Sequence, residues 1–564
     1  MGREVQRALL WVILFGSLFM LWDNYQVYKG GKSFFGGAEQ AVVQNESGVA
    51  DIPAAAAKQE APVMAAAPAR EPVVVTTDRL KVTFDLQGAR IVGTEMLLFP
   101  QQADWTEVGL AGMILGRKPA DDLGNVKLLD VAGEHTYVAQ SGLVGGAWPT
   151  HADEFRLVSQ KLSMDGADDL EVVFEAEKGG VKVTKTYSFK RGNYGIEVAT
   201  TVKNVSGESV TPQIYYQITR DSSKPAGESS MYSTFTGPAF YTSEENFQKL
   251  DFSDIRKKDA SYVEHTDNGW LAMIQHHFVS AWIPAQGESR QNYAREVSKD
   301  LYSVGTIVSM KSLAPGAEET DRAVFYSGPQ EQNRLEQLAP GLELVVDYGW
   351  LTFLAKPIYW LLSFLYGIVG NWGWAIVLLT CLVKAVLYPI SAAGYRSMAR
   401  MKEVTPRMKA LQEKYKDDKQ RLNQAMMELY RNEKINPVGG CLPILLQIPV
   451  FLALYWVLQG SVELRGADWL LWVHDLAMPD PWFVLPILMA VTMFLQILLN
   501  PKPTDPTQAK VMYIMPLVFS VMFFVFAAGL VLYWLTNNVL SIAQQWWINK
   551  TIAAERAERL ARQK

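Results

Sequence analysis

The sequence predicts a membrane α-helical bundle of six spans joined to a large antiparallel β-sandwich. Three observations carry that prediction. Hydrophobic residues fill 49% of the 564 positions, yet they crowd into the first twenty-odd and roughly the last two hundred, in runs long enough to cross a bilayer. Between these runs lie short segments of strict alternation, LKVTFDL, LEVVFEAE, VKVTKTYSF, GIEVATTVKNV and QIYYQIT, separated by Gly, Asp, Asn and Ser. That is the pattern of antiparallel strands with one wet face. Charge is also sorted: residues 391–440 carry eleven Lys/Arg against six Asp/Glu, whereas 461–481 carry only Arg465 against four acids. Such asymmetry marks loops on opposite sides of a membrane, the basic one inside.

The elements follow in order. In residues 1–24, Arg3 and Arg7 precede an apolar run, and Leu21, Trp22, Asp23 and Asn24 stand where a small-x-small cleavage site belongs. The segment reads as an uncleaved signal anchor with its N-terminus in the cytoplasm. Residues 25–72, rich in Ala and Pro, form a flexible tether. The alternating region makes 73–340 a β-sandwich on the far side of the membrane. In 341–370, aromatic residues mixed with Lys356 and Pro357 suggest an amphipathic helix lying in the interface. A span at 371–390 returns the chain to a cytoplasmic helical hairpin at 391–440. Spans at 441–460 and 482–500 follow, joined by the far-side loop 461–481 and continued by a cytoplasmic loop at 501–511. The last apolar stretch, 512–548, is about twice the ~20 residues of one crossing. Because the basic tail 549–564 belongs inside, this stretch divides into spans 512–528 and 529–548, turning near FAAGL.

Several chemistries are absent. No phosphate-binding loop, dinucleotide fingerprint, zinc-protease motif or nucleophile elbow occurs in a fitting context. The two cysteines, Cys381 and Cys441, suggest neither a disulfide framework nor a metal site. Glu134–His135 and Glu264–His265 are neighbours on strands, so their side chains point to opposite faces and make no ready acid/base couple. No cofactor is expected. A net charge of −5 is too close to neutral to speak about nucleic acid. In the hairpin, Met398, Met401, Met408, Met426 and Met427 offer an unbranched, polarizable surface suited to varied apolar partners, against the plainer alternative of a solvated charged hairpin.

Polar residues inside the spans are the candidate functional groups. Lys384 lies five residues before Pro389, about 7 Å from the cytoplasmic end at 1.5 Å per residue. It can snorkel to the headgroups, or it can serve a buried site. Thr380 shares its helix face. Gln447 sits in the next crossing and Gln496 in the one after; either can act simply as helix glue. Trp534, Asn538, Ser541 and Gln545 recur at steps of three or four, one stripe of the last helix. If these faces converge, they enclose a hydrated cavity holding one positive charge.

The segments VDYGWLTFLAKPIYWLL, GNWGWAIVLLT, YPISAAGYRSMARM, INPVGGCLPILLQIPVFLALYWVL, SVELRGADWLLWVHDLAMPDPWFVLPILM and GLVLYWLTNNVLSIAQQ resemble the YidC/Oxa/Alb family of membrane protein insertases. NGWLAMIQHHFVSAWIP is similar to the periplasmic domain of its Gram-negative type. The resemblance implies five core helices after the signal anchor, and a hydrophilic groove open to cytoplasm and lipid but closed to the periplasm. It implies insertion of nascent inner-membrane proteins without nucleotide, alone or beside the Sec translocon. The groove's basic residue corresponds to Lys384, where the family usually has arginine, so charge is kept and the guanidinium fork is lost. Thr380 matches a groove threonine, and Gln447, Trp534, Asn538, Ser541 and Gln545 complete the expected groove. Ribosomes and anionic lipids are expected partners of the hairpin and the basic tail. Two other readings remain at this point: a secondary transporter using Lys384, against which no internal repeat is seen, and a tethered sugar enzyme.

Overall fold

The computed structural model describes residues 71–102, 123–133, 135–225, 234–416, 418–433, 442–499, 510, 513–514, 520 and 522–563. The expected signal anchor, most of the tether and part of the span at 512–528 lie outside the described residues. The chain divides into a β-rich unit ending at Asp347 and a helical unit, Tyr348–Lys564.

In the β-rich unit the described strands form two antiparallel sheets, one of ten strands and one of nine. Alternation dictates the layering. Along Val181–Lys190, positions 181, 183, 185, 187 and 189 are buried while the residues between them are partly exposed. This strand pairs with Gly195–Asn204, which in turn pairs with Glu318–Pro329. In the other sheet Gln213–Asp221 lies between His135–Val144 and Leu301–Ser309. Trp282 joins the layers: its ring packs on Tyr216 and Phe325, centroids 4.9 and 4.8 Å away, and its Nε1 donates to the Gln217 carbonyl. Two short helices, α1 (Phe252–Lys257) and α2 (Gln332–Leu338), complete the unit.

The strand Gln213–Asp221 departs from the expected single wet face, because it is buried on both sides. Tyr215 packs with Val144 and Ile307. Gln217 donates to Gln140 Oε1 at 2.7 Å and accepts from the Tyr293 hydroxyl at 2.6 Å. Glycine makes this possible: a Cβ at Gly305 would sit 2.4 Å from that hydroxyl, so only a bare backbone lets Tyr293 lie over the sheet. Two titratable groups are also enclosed. Lys185 occupies an inward position and donates to the carbonyls of Gly88 and Ser141 at 2.7 and 2.8 Å; burial pushes its ammonium down to about 7. His151 bonds the Tyr215 hydroxyl, and burial, helped by Arg90, Lys185 and Arg295, pushes it down to about 3. Among the described residues His135 meets Asp221 and Ser223 through Nδ1, which is not the two-nitrogen relay of a catalytic triad.

After a short turn at Gly349–Leu351, the helical unit continues in α3 (Thr352–Val369), which buries Ala355, Ile358, Tyr359, Leu362 and Leu365 and exposes Phe353, Trp360 and Phe364. Among the described residues, Gly349–Val369 is the one unbent helix of full membrane-crossing length and apolarity. Gly370, at φ 66°, ends it in the left-handed conformation. Asn371 then caps α4 (Trp372–Val386) by accepting from the Trp374 amide at 3.0 Å. α4 is apolar on both faces, burying Ala375, Ile376 and Leu379 and exposing Trp374, Leu378, Leu382 and Val386. An exposed apolar stripe on an apolar helix suits acyl chains rather than water.

At Leu387 the chain bends 67° into α5 (Tyr388–Lys414), with Pro389 placed where its missing N–H costs least. α5 and α6 (Lys419–Asn432) form a hairpin, and Val404 and Met408 pack there against Met401, Met426, Leu429 and Tyr430. Three of the five methionines therefore fill the hairpin's own seam, while Met427 is 69% exposed. α7 (Leu442–Gly460) and α8 (Val484–Leu499) follow, α8 exposing Val491, Phe494 and Leu498. After a non-helical break at 523–527, α9 (Ala528–Gln563) runs without interruption through the basic tail.

Candidate functional site

Four helices contribute to one pocket in the helical unit. Thr380, Val383 and Lys384 come from α4, Leu387 from the bend after it, Ile390 and Ser391 from α5, Gln447 from α7, and Tyr533 and Asn537 from α9. The bend at Leu387 falls within this stretch, between Lys384 and Ile390.

Lys384 is held by a hydroxyl. Its Nζ donates to Ser541 Oγ at 2.7 Å, and Ser541 donates in turn to the Asn537 carbonyl one turn earlier at 2.7 Å. Tyr395 of α5 lies beside Ser541. Among the described residues no carboxylate pairs with Lys384. A second node lies beside the first: Gln447 Nε2 donates to Asn537 Oδ1 at 2.7 Å, and the Tyr533 side chain lies beside Gln447. Thr380 is buried, with its hydroxyl satisfied by the Ile376 carbonyl at 2.7 Å. The pocket thus combines one cation, two amides and several hydroxyls with the apolar walls of Val383, Leu387 and Ile390.

The structure distributes the expected groove residues unevenly. Lys384, Thr380, Gln447 and Ser541 come together. Asn538 turns to α8, where its Nδ2 approaches Met489 Sδ at 3.3 Å and Thr492 Oγ1 at 3.4 Å. Trp534 packs on Phe451 and Phe523. Gln545 is buried but does not line the pocket. Tyr533 and Asn537 of α9 line the pocket, and Ser541, one turn further on, holds Lys384. Sequence reasoning missed Tyr533, Asn537 and Tyr395. The pair Asn537–Asn538 fits two adjacent stripes equally well by spacing, and only the reach of Gln447 selects between them.

Comparison with known proteins places this arrangement. Residues 72–361 match the family described as YidC periplasmic domain, and residues 364–555 match that described as 60Kd inner membrane protein. A membrane protein insertase YidC from Bordetella parapertussis is 51% identical over 98% of this chain and 99% of its own length. The chain belongs to the YidC family of membrane protein insertases. The YidC of Cupriavidus necator is 48% identical over 99% of this chain and all of its own. A solved structure described as an active YidC insertase with the first transmembrane domain resolved aligns with a TM-score of 0.38 and 18% identity, covering 85% of this chain and 92% of that one. The function is therefore insertion of membrane proteins and not enzymatic catalysis, in an inner-membrane protein whose residues 72–361 form the YidC periplasmic domain.

Proposed function

We propose that the Lys384 pocket is the groove through which this YidC-family chain receives the hydrophilic segment of a nascent inner-membrane protein. The observation that carries this reading is the partner of Lys384: a neutral hydroxyl, Ser541, at 2.7 Å. A lysine neutralised by a carboxylate serves structure, whereas one resting on a serine keeps its field for an incoming group. At an effective dielectric of ~20, a carboxylate brought to 4 Å gains about 4 kcal/mol of gross attraction, less the cost of desolvating it. The apolar stripes of α4 and α8 let the client's own span move sideways into lipid while its polar segment occupies the pocket.

Six crossings with both termini cytoplasmic, and α3 lying in the interface, remain the topology that the charge asymmetry favours. The exposed basic residues of α5, including Arg400 and Lys409, and the basic tail suit ribosomes and anionic lipid, and clients arrive either directly or from the Sec translocon. The test is a charge series at Lys384, read as insertion of a single-span client with an acidic tail. Lys384→Arg retains most insertion, Lys384→Ala lowers it several-fold, and Lys384→Glu lowers it further. Wild-type insertion in both the Ala and the Glu variants removes the charge from the mechanism.

A further inference from the structure

A short stretch of α9 makes polar contacts with three neighbouring helices. Asn537 accepts from Gln447 of α7, and Ser541 accepts from Lys384 of α4, each at 2.7 Å. Asn538 turns to α8, where its Nδ2 lies 3.3 Å from Met489 Sδ and 3.4 Å from Thr492 Oγ1. The Thr492 hydroxyl donates to the Met489 carbonyl at 2.9 Å, so its oxygen is left as an acceptor that suits an amide donor. At about 100° per residue, Ser541 stands roughly 40° from Asn537 and roughly 60° from Asn538, between the two. Away from these contacts α9 is exposed at Val539, Trp546 and Trp547.

The repeated asparagine leaves two rotations of α9 open. The reach of Gln447 marks the stripe that lines the pocket, yet Asn538 would serve Gln447 as well as Asn537 does if α9 turned back by one residue, about 100°. In that rotation Ile542 takes the place of Ser541, and Lys384 loses its hydroxyl. Val539 meanwhile takes the place of Asn538 and faces the α8 acceptors with nothing to donate. Apolar side chains offer α9 no direction of their own, so the hydrogen bonds of this stretch select the rotation. We infer that Thr492, with Met489, is a positioning residue for the pocket: by taking the Asn538 amide it fixes the rotation of α9, and so holds Asn537 on Gln447 and Ser541 on Lys384. Neither Thr492 nor Met489 lines the pocket, so both act on it through α9. The bearing of this on insertion rests on the groove reading above; the rotation itself does not.

The experiment reads rotation directly. In the full chain in lipid vesicles, with Cys381→Ser and Cys441→Ser, a nitroxide is attached at Val539→Cys or at Leu540→Cys. Its collision rate with oxygen, which concentrates in the bilayer, is then measured. Val539 is 49% exposed and Leu540 half-buried, so the parent gives the higher rate at 539. Turning α9 back by one residue moves 539 into the buried place of 538, and 540 into the exposed place of 539. Thr492→Val with Met489→Leu, which removes both acceptors with little change of shape, therefore lowers the rate at 539, raises it at 540 and roughly halves their ratio or more. Thr492→Ser keeps the acceptor and the parent ratio. Adding Asn538→Leu to the acceptor variant restores the parent ratio, because one amide then remains for Gln447; a contact that only stiffened the bundle gives no such rescue. If the acceptor variant fails to accumulate, Thr492→Val alone carries the test in the same direction. The inference is overturned if the ratio stays at the parent value without the acceptors, if both rates rise together, or if Asn538→Leu fails to restore it. Insertion of an acidic-tailed client relative to a neutral-tailed one is followed in the same variants and falls with the ratio. A lowered ratio with unchanged insertion upholds the rotation and counts against the groove reading instead.

Discussion

Lys384 shows how a residue's role follows from its partner. The same ammonium at the same depth is a snorkelling lysine when it reaches headgroups, and a poised charge when it rests on Ser541 with no carboxylate beside it among the described residues. Ser541→Ala therefore frees Nζ, and insertion of an acidic-tailed client falls less than in Lys384→Ala. In the periplasmic unit, His151 and Lys185 make two limbs of one pH profile, one acid and one alkaline, and stability rises with pH in both. His151 titrates near 6.5 unfolded and about 3 folded, so the folded state loses stability as pH falls through that window. Lys185 titrates near 10.5 unfolded and about 7 folded, so the folded state gains stability as pH rises from 7 to 10.5. Each limb approaches about 1.4 kcal/mol per pH unit. Urea unfolding of the periplasmic unit across pH shows both slopes; His151→Gln flattens the acid limb and Lys185→Met the alkaline one.

At the scale of elements, the hairpin α5–α6 is held by methionine rather than offering it. Met408→Ala empties a 9% exposed seam position and costs about 2 kcal/mol or more of local packing, visible as faster amide exchange across α5 and α6. Met427→Ala, on the exposed side, leaves exchange unchanged. The cap of α8 behaves similarly: Asp480→Ala costs about 1 kcal/mol or more, and Asp480→Asn less, in thermal stability of the detergent-solubilised protein. Much of this level was legible in the sequence. Strand alternation, the hairpin and the apolar helices all follow from periodicity. The double-faced burial of Gln213–Asp221 was not legible, because it depends on the strand's own Tyr215 lying over Gly142 and on Tyr293 from another strand lying over Gly305. Nor was Tyr395, since its place beside Ser541 lies past the 67° bend at Leu387.

The whole molecule reads as a division of labour within one chain: a sandwich satisfied on its own, and a bundle that keeps one polar pocket in apolar surroundings. Spacing alone could place Lys384, Gln447 and Ser541 on facing helices, but it could not choose between the two stripes of α9. That ambiguity supplies the most direct test. Asn537 lines the pocket and Asn538, its neighbour, turns to α8. A photo-crosslinking side chain is placed at 537 or at 538, and a ribosome-bound client is stalled with its polar segment part-way inserted. Crosslinks to that segment from 537 and not from 538 are the predicted result. Equal crosslinking from both, or crosslinking from 538 alone, contradicts passage through the Lys384 pocket.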